Sequence, residues 1–227
     1  MGILHPLNNK QGIHHMSTKT ITPQRHSSVV GGSTAARVMA CPGSVQLVQQ
    51  VPPLPTSEYA SEGSLLHAAI AVIVAENLSP AEMIGYQNEF GELTQEMHDN
   101  KLVPAVEAFD ALLDELESES GRTAEILVES EVHFGKYIKD AFGSCDVIIK
   151  AGSKVVVLDW KFGSGIKVDA TENAQLMFYA TAAMRTPEVA HLFEEASDVE
   201  LVIIQPSDEG ESISRWLTTQ PELVRFE

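Results

Sequence analysis

Apolar residues recur at two different periods along this chain, and the change between them falls near residue 120. Before it the spacing is helical; after it, apolar runs and alternations read as strands. Ser33–Ala40 predicts a short helix capped by Ser33 or Thr34, broken by Cys41-Pro42-Gly43-Ser44. Ser44–Gln50 predicts a second, and Val51-Pro52-Pro53-Leu54-Pro55 an extended linker. Thr56 or Ser57 then caps a helix to about Asn77, with Leu66, Ala69, Ile70 and Ile73 on one face. Residues 79–86 predict a short helix opened by Ser79 with Pro80 at its first position. Glu92–Glu119 predicts a long helical stretch with a stripe of Leu102, Val106, Phe109, Leu112, Leu113 and Leu116, kinked or divided at Pro104. Strands follow at Glu125–Phe134, Phe142–Lys150 and Lys154–Phe162. Ala151-Gly152-Ser153 joins the last two as a hairpin. Helices at 171–185 and 187–196 precede strands at Val199–Gln205 and Ser212–Thr218, which turn through 206–210. The tail Pro221–Glu227 carries no clear signal. The expected fold class is α/β (α+β): a central mixed β-sheet of about five strands flanked by helices. Residues 1–32 read as a flexible arm, and 33–227 as one domain with a helical part (33–120) and a sheet core (123–218).

Composition narrows the picture. The chain has 227 residues, 44% of them apolar, and two cysteines, Cys41 and Cys145. Two cysteines build neither a disulfide framework nor a four-cysteine metal site, so no iron–sulfur cluster is expected. No apolar run spans a membrane and no signal-peptide pattern opens the chain, so a cytoplasmic location is expected. The net charge of −17 argues against a general polyanion binder. Yet residues 1–57 contain no acid and carry Lys10, Lys19, Arg25 and Arg37. A nucleic-acid contact on the acidic remainder would need a small site, with a bound metal supplying positive charge. His14-His15 has no third ligand nearby and reads as a pair without a metal role.

The stretch with most chemistry is KVVVLDWK, residues 154–161. Its apolar run predicts a strand buried on both faces. Asp159 and Lys161, two apart, emerge on one side and Trp160 on the other. Asp146 lies on the partner strand. With Gly152 at the hairpin centre, Asp146 falls opposite Leu158, one residue from Asp159. A strict register would therefore place the aspartates on opposite faces, and bringing them together needs a one-residue shift or a bulge. Glu129 on the preceding strand offers a third carboxylate. Unmatched carboxylates at close range repel unless a cation or proton lies between them, which favours Mg2+ or Mn2+. Gln175 and Tyr179, four apart, share one face of the following helix. His67, in apolar company, reads on its own more readily as a satisfied core histidine than as a ligand.

Gly143-x-x-Asp146, Asp159-x-Lys161, Gln175-x-x-x-Tyr179 and Glu62-Gly63-x-x-x-His67 together resemble the RecB-like branch of the PD-(D/E)XK nuclease superfamily. CPGS at 41–44, SEYASEGSLLH at 57–67, DWKFGSG at 159–165 and ENAQLMFYA at 172–180 look like a phage and prophage exonuclease-like family within it. The resemblance implies a restriction-endonuclease-like core. It implies that His67, Asp146 and Asp159 ligate Mg2+ or Mn2+, helped by the main-chain carbonyl of Trp160. Lys161 would position and help deprotonate the attacking water. Gln175 and Tyr179 would hold the DNA strand or support the site, and Glu129 would act through a bound water. The imidazole tilts the expected preference towards Mn2+. The implied activity is that of a divalent-metal-dependent deoxyribonuclease, an exonuclease acting on linear single- or double-stranded DNA in phage recombination or DNA processing. A recombination partner protein is a further expectation. An endonuclease of the same superfamily, or a non-catalytic DNA-binding protein on the same fold, are the alternatives. The acidic body departs from the pattern and leaves phosphate contacts to the N-terminal arm, to Lys161, Lys167 and Arg185, or to a partner.

Overall fold

Val155, Val156, Val157 and Leu158 are each 0–1% exposed, because both faces of their strand are covered. The computed structural model describes residues 30–52, 58–162, 166–206 and 212–226. The expected linker at 53–55, the cap at 56 or 57, the loop at 163–165, the turn at 207–210 and all but the last residues of the expected arm lie outside them. A 3-10 turn at Gly32–Thr34 leads into α1 (Ala35–Ala40), α2 (Ser44–Val48) and α3 (Glu58–Glu76). A 3-10 turn at Pro80–Met83 precedes a small hairpin, β1 (Gln87–Asn88) and β2 (Gly91–Glu92). Then come α4 (Gln95–Met97), a π-helical turn at His98–Leu102 and α5 (Val103–Ser120). The sheet and its helices follow: β3 (Glu125–His133), β4 (Phe142–Ala151), β5 (Lys154–Trp160), α6 (Ala174–Arg185), α7 (Pro187–Ala190), a 3-10 turn (His191–Phe193), β6 (Asp198–Ile204), β7 (Ile213–Thr218) and α8 (Gln220–Val224).

The sheet has five strands in the order β3-β4-β5-β6-β7. Among the described strands of this sheet only β5 and β6 run parallel, and α6 and α7 make the crossover between them. Ile148, Val155, Val157, Val199, Leu201 and Ile203 face α6, α7 and α8. Val147, Ile149, Val156, Leu158, Val202 and Ile204 face α3 and α5. The fold is thus the expected mixed sheet between two helical layers. Among the described residues no helix is long and apolar enough to cross a membrane.

Pro104 divides the long helical stretch, one of the two outcomes expected of it. It sits in the first turn of α5, where no amide hydrogen is required. The π-helical turn just before it loosens the backbone where the proline ring would otherwise meet the carbonyl of Asn100. The β1–β2 hairpin fills the gap between the two expected helices and takes only Glu92 from the second, while the helix expected over 79–86 is a 3-10 turn at Pro80–Met83. α8 occupies the tail that carried no clear signal, with Thr219 and Glu222 capping it reciprocally.

The hairpin register differs from the expectation, and the difference matters. Lys154 pairs with Ala151, and Val147 with Leu158. The loop is therefore two residues, Gly152 and Ser153, with Gly152 at φ 57°. A two-residue turn of this kind needs a left-handed first position, which glycine supplies without strain. Counting from this centre, Asp146 falls opposite Asp159, not Leu158. The one-residue shift that the two aspartates required is thus built into the turn.

Candidate active site

The pairing of β4 with β5 stops at Val147–Leu158, one step short of the two aspartates. In place of the next ladder bond, the Trp160 amide donates to Asp146 Oδ2 at 2.8 Å. The β3–β4 ladder has a gap at the same level: Val128–Val147 and Ser130–Cys145 pair, while Glu129 and Asp146 between them do not. Glu129 has a φ of 47°, the left-handed region that costs a side-chain-bearing residue about 1–3 kcal/mol. The strand pleat slips there as well. Leu127 and Val132, five apart, face the same cluster, as do Cys145 and Ile148, three apart. Strict alternation allows only even intervals. So three strands open at one level, and Glu129, Asp146 and Asp159 stand in a row across them.

His67 reaches this row from α3. Its Nδ1 lies 3.4 Å from Asp146 Oδ2, and its ring packs edge-on against Phe162 at 5.4 Å. The pKa of His67 is held down to about 4, first by loss of water, then by the Lys161 ammonium, against a hydrogen bond to the Trp160 backbone. The imidazole is therefore neutral at pH 7 and offers a lone pair to a metal. Ligand atoms of His67, Glu129 and Asp146 lie within 4.8 Å of one another. Ser144 Oγ donates to Glu129 Oε2 at 2.8 Å and fixes that carboxylate.

Asp159 has other company. Its Oδ1 accepts from Gln175 Nε2 at 2.9 Å, and Lys161 Nζ stands 2.5 Å from Oδ2 without a well-directed hydrogen bond. Lys161 Nζ donates instead to Gln175 Oε1 at 2.8 Å, and Gln175 Nε2 also reaches the Tyr179 hydroxyl at 3.2 Å. The Asn173 side chain accepts from the amides of Gln175 and Leu176, which fixes the start of α6 and so the aim of Gln175. Burial raises the pKa of Asp146 well above the carboxylate range, and Asp159 and Glu129 add to it, opposed by the Trp160 amide and Lys161. Burial likewise raises Asp159, opposed by Lys161. Burial and then the Asp159 and Asp146 charges push the Tyr179 phenol upward, so it stays neutral.

This donor set fits one divalent cation. Two carboxylates and a neutral imidazole converge, and the single lysine, paired with Asp159, is too little positive charge for three acids. The expected site residues are thus gathered, with their roles partly redistributed. His67 and Asp146 stand where ligands were expected. Glu129, expected to act through a water, is within ligand distance of both. Asp159 faces Lys161 and Gln175. Trp160 takes part through its backbone, bonded to Asp146 and to the His67 ring, while its indole packs on Phe109. Glu62 pairs with Lys101. Arg185, an expected phosphate contact, sits at the far end of α6 from Gln175.

Two contributors were missed from sequence. Ser144 had no signal beyond its place after Gly143. Gly32 forms a cradle with Gly143: an added Cβ would come within 2.3 Å of the Tyr179 ring at Gly32 and 2.9 Å at Gly143. Gly143→Ala is expected to cost about 1–3 kcal/mol, as overpacking does, and to push Tyr179 off Gln175. Chemical denaturation of the variant measures the cost.

The His67 assignment has its own check. Folding disfavours the imidazolium, so the stability this histidine contributes is lost as pH falls from 6.5 towards about 4. Asp146 and Asp159 run the other way, because their raised values favour the folded state as they take up protons. NMR titration in EDTA is expected to place the His67 midpoint near 4; a midpoint near 6.5 would show an imidazole open to water.

Residues 26–227 match the family described as "Protein of unknown function (DUF2800)". A solved structure described as "Crystal structure of SSO0001" is similar at 15% identity over 80% of this chain and 77% of that one, with a TM-score of 0.25. At that score the likeness bears on neither fold nor function.

Proposed function

The chain belongs to the DUF2800 family, and for this member we propose a divalent-metal-dependent deoxyribonuclease that hydrolyses phosphodiester bonds from DNA ends. One observation carries the reading: a His67–Glu129–Asp146 cluster of metal-ligand atoms within 4.8 Å, beside a buried Asp159 that touches a lysine. An Mg2+ or Mn2+ ion held by His67, Glu129 and Asp146 would lower the pKa of a bound water and neutralise charge on the phosphoryl group. The chain's own residues do the rest. The Lys161 ammonium would orient that water and, by its charge, favour loss of the water's proton to solvent. Asp159 and Gln175 hold the Lys161 ammonium from two sides, and Tyr179 braces Gln175 from behind. The resemblance of the Gly143–Asp146, Asp159–Lys161 and Gln175–Tyr179 motifs to RecB-like nucleases supports the same reading.

Phage recombination or DNA processing, in the host cytoplasm, with linear single- or double-stranded DNA as substrate, is the setting this reading favours. The test is incubation of the purified protein with linear, circular and single-stranded DNA in Mn2+, Mg2+ or EDTA. Degradation of linear DNA, dependent on metal and sparing circles, is the expected result. Nicked or linearised circles would make it an endonuclease. Binding without cleavage in either metal would leave a DNA-binding protein on this fold.

A further inference from the structure

A second feature lies at the other end of α6, outside the carboxylate cluster. The loop between β3 and β4 carries Lys136, Tyr137 and Lys139, all exposed, Tyr137 to 60%. The Arg185 guanidinium lies 4.9 Å from the centre of that ring, and Lys136 Nζ lies 5.6 Å from it. Two cations thus flank one exposed aromatic ring, on a chain whose net charge is −17. The acid-free N-terminal stretch also joins the fold here, since Val30 bridges to Ala141 at the end of the same loop.

The placement relative to the site is fixed by α6. Gln175 touches Asp159 near its first turn, and Arg185 is its last residue. Ten residues of helix separate them by about 15 Å. At about 3.4 Å per nucleotide of a stacked strand, that span covers roughly four nucleotides.

We propose that Tyr137, Lys136, Lys139 and Arg185 form a holding site for single-stranded DNA, where one base stacks on the tyrosine ring and its flanking phosphates meet the three cations. This rests on the DNA-hydrolysing reading of the carboxylate site and adds to it a contact about four nucleotides from the bond to be cut. An exposed ring with cations beside it is how strand-binding surfaces accept any base, through stacking and phosphate attraction. The arrangement also answers how an acidic protein holds a polyanion: the positive charge is concentrated at one point along the strand's path.

Fluorescence anisotropy in EDTA, with a labelled single strand of about 12 nucleotides, tests it within the site sizes such surfaces cover. Tyr137→Ala is expected to weaken binding about tenfold, as loss of one stacked base does, and Tyr137→Phe to retain it. Lys136→Ala and Arg185→Gln are each expected to reduce the dependence of log affinity on log salt by about one. Unchanged affinity in Tyr137→Ala, or equal loss in Tyr137→Phe, overturns the proposal. If the wild-type protein still cuts DNA with metal, only this contact falls; if it neither binds nor cuts any DNA, the nuclease reading falls with it.

Discussion

Lys161→Ala is expected to slow metal-dependent DNA hydrolysis by about 10^2–10^3-fold, the range lost with a preorganised donor that stabilises developing charge. Mn2+ binding should survive, because Lys161 is not among the side chains within ligand distance of one another. The split between these two readouts is the informative part. Lys161 Nζ lies 2.5 Å from Asp159 Oδ2 and donates to Gln175 Oε1 at 2.8 Å. Removing it leaves the buried Asp159 carboxylate with Gln175 as its hydrogen-bonding neighbour, so some loss of stability is expected as well. Titration calorimetry with Mn2+ and a single-turnover nuclease assay on the same preparation separate the effects. Full activity in a preparation free of contaminating nuclease would remove Lys161 from the chemistry; loss of Mn2+ binding would move it into the metal site.

Asp146→Asn is expected to do two opposite things. It should abolish the response to Mn2+, and it should make the metal-free protein more stable. Asp146 is 7% exposed and faces two further carboxylates, and burial and those charges both disfavour its ionised form. Asparagine keeps an oxygen to accept the Trp160 amide, so the strand opening retains its one direct bond. Relief of a strained functional site commonly yields about 0.5–2 kcal/mol. For a domain of this size 1 kcal/mol corresponds to about 2–4 °C in Tm. Thermal unfolding in EDTA and in saturating Mn2+ gives both numbers. A lower Tm in EDTA, or a Mn2+ shift as large as in the wild type, would show that Asp146 is not a ligand under repulsion.

These two residues also show how far the sequence could be read. The unbroken Val155–Leu158 run announced a strand covered on both faces, because only burial on both sides removes the need for alternation. Asp159 and Lys161 followed from the period of two, and Gln175 with Tyr179 from the helical period. The convergence of His67 was beyond local patterning, since it depends on how α3 crosses the end of β5. Glu129 was visible only as an acid on a strand. Its backbone conformation comes from the opened ladder, and no local propensity favours a glutamate at positive φ. The β1–β2 hairpin escaped because two-residue strands show no alternation. α8 escaped although Thr219 and Glu222 carry the spacing of a capping box. Tyr137 has no periodic signature; its place beside Arg185 is purely tertiary.

The two-residue turn at Gly152 and Ser153 sets a counting constraint on the whole centre. It lies about 20 Å along β5 from Asp159, far from any reacting atom. Even so, adding or deleting a single residue there would slide Asp146 past its partner by one position and turn its carboxylate to the opposite side of the sheet. The twelve residues between Asp146 and Asp159 therefore act as a measuring rod. Kin that share the chemistry should tolerate changes of identity along this stretch and none of length, whereas kin that have lost the chemistry are released from the count.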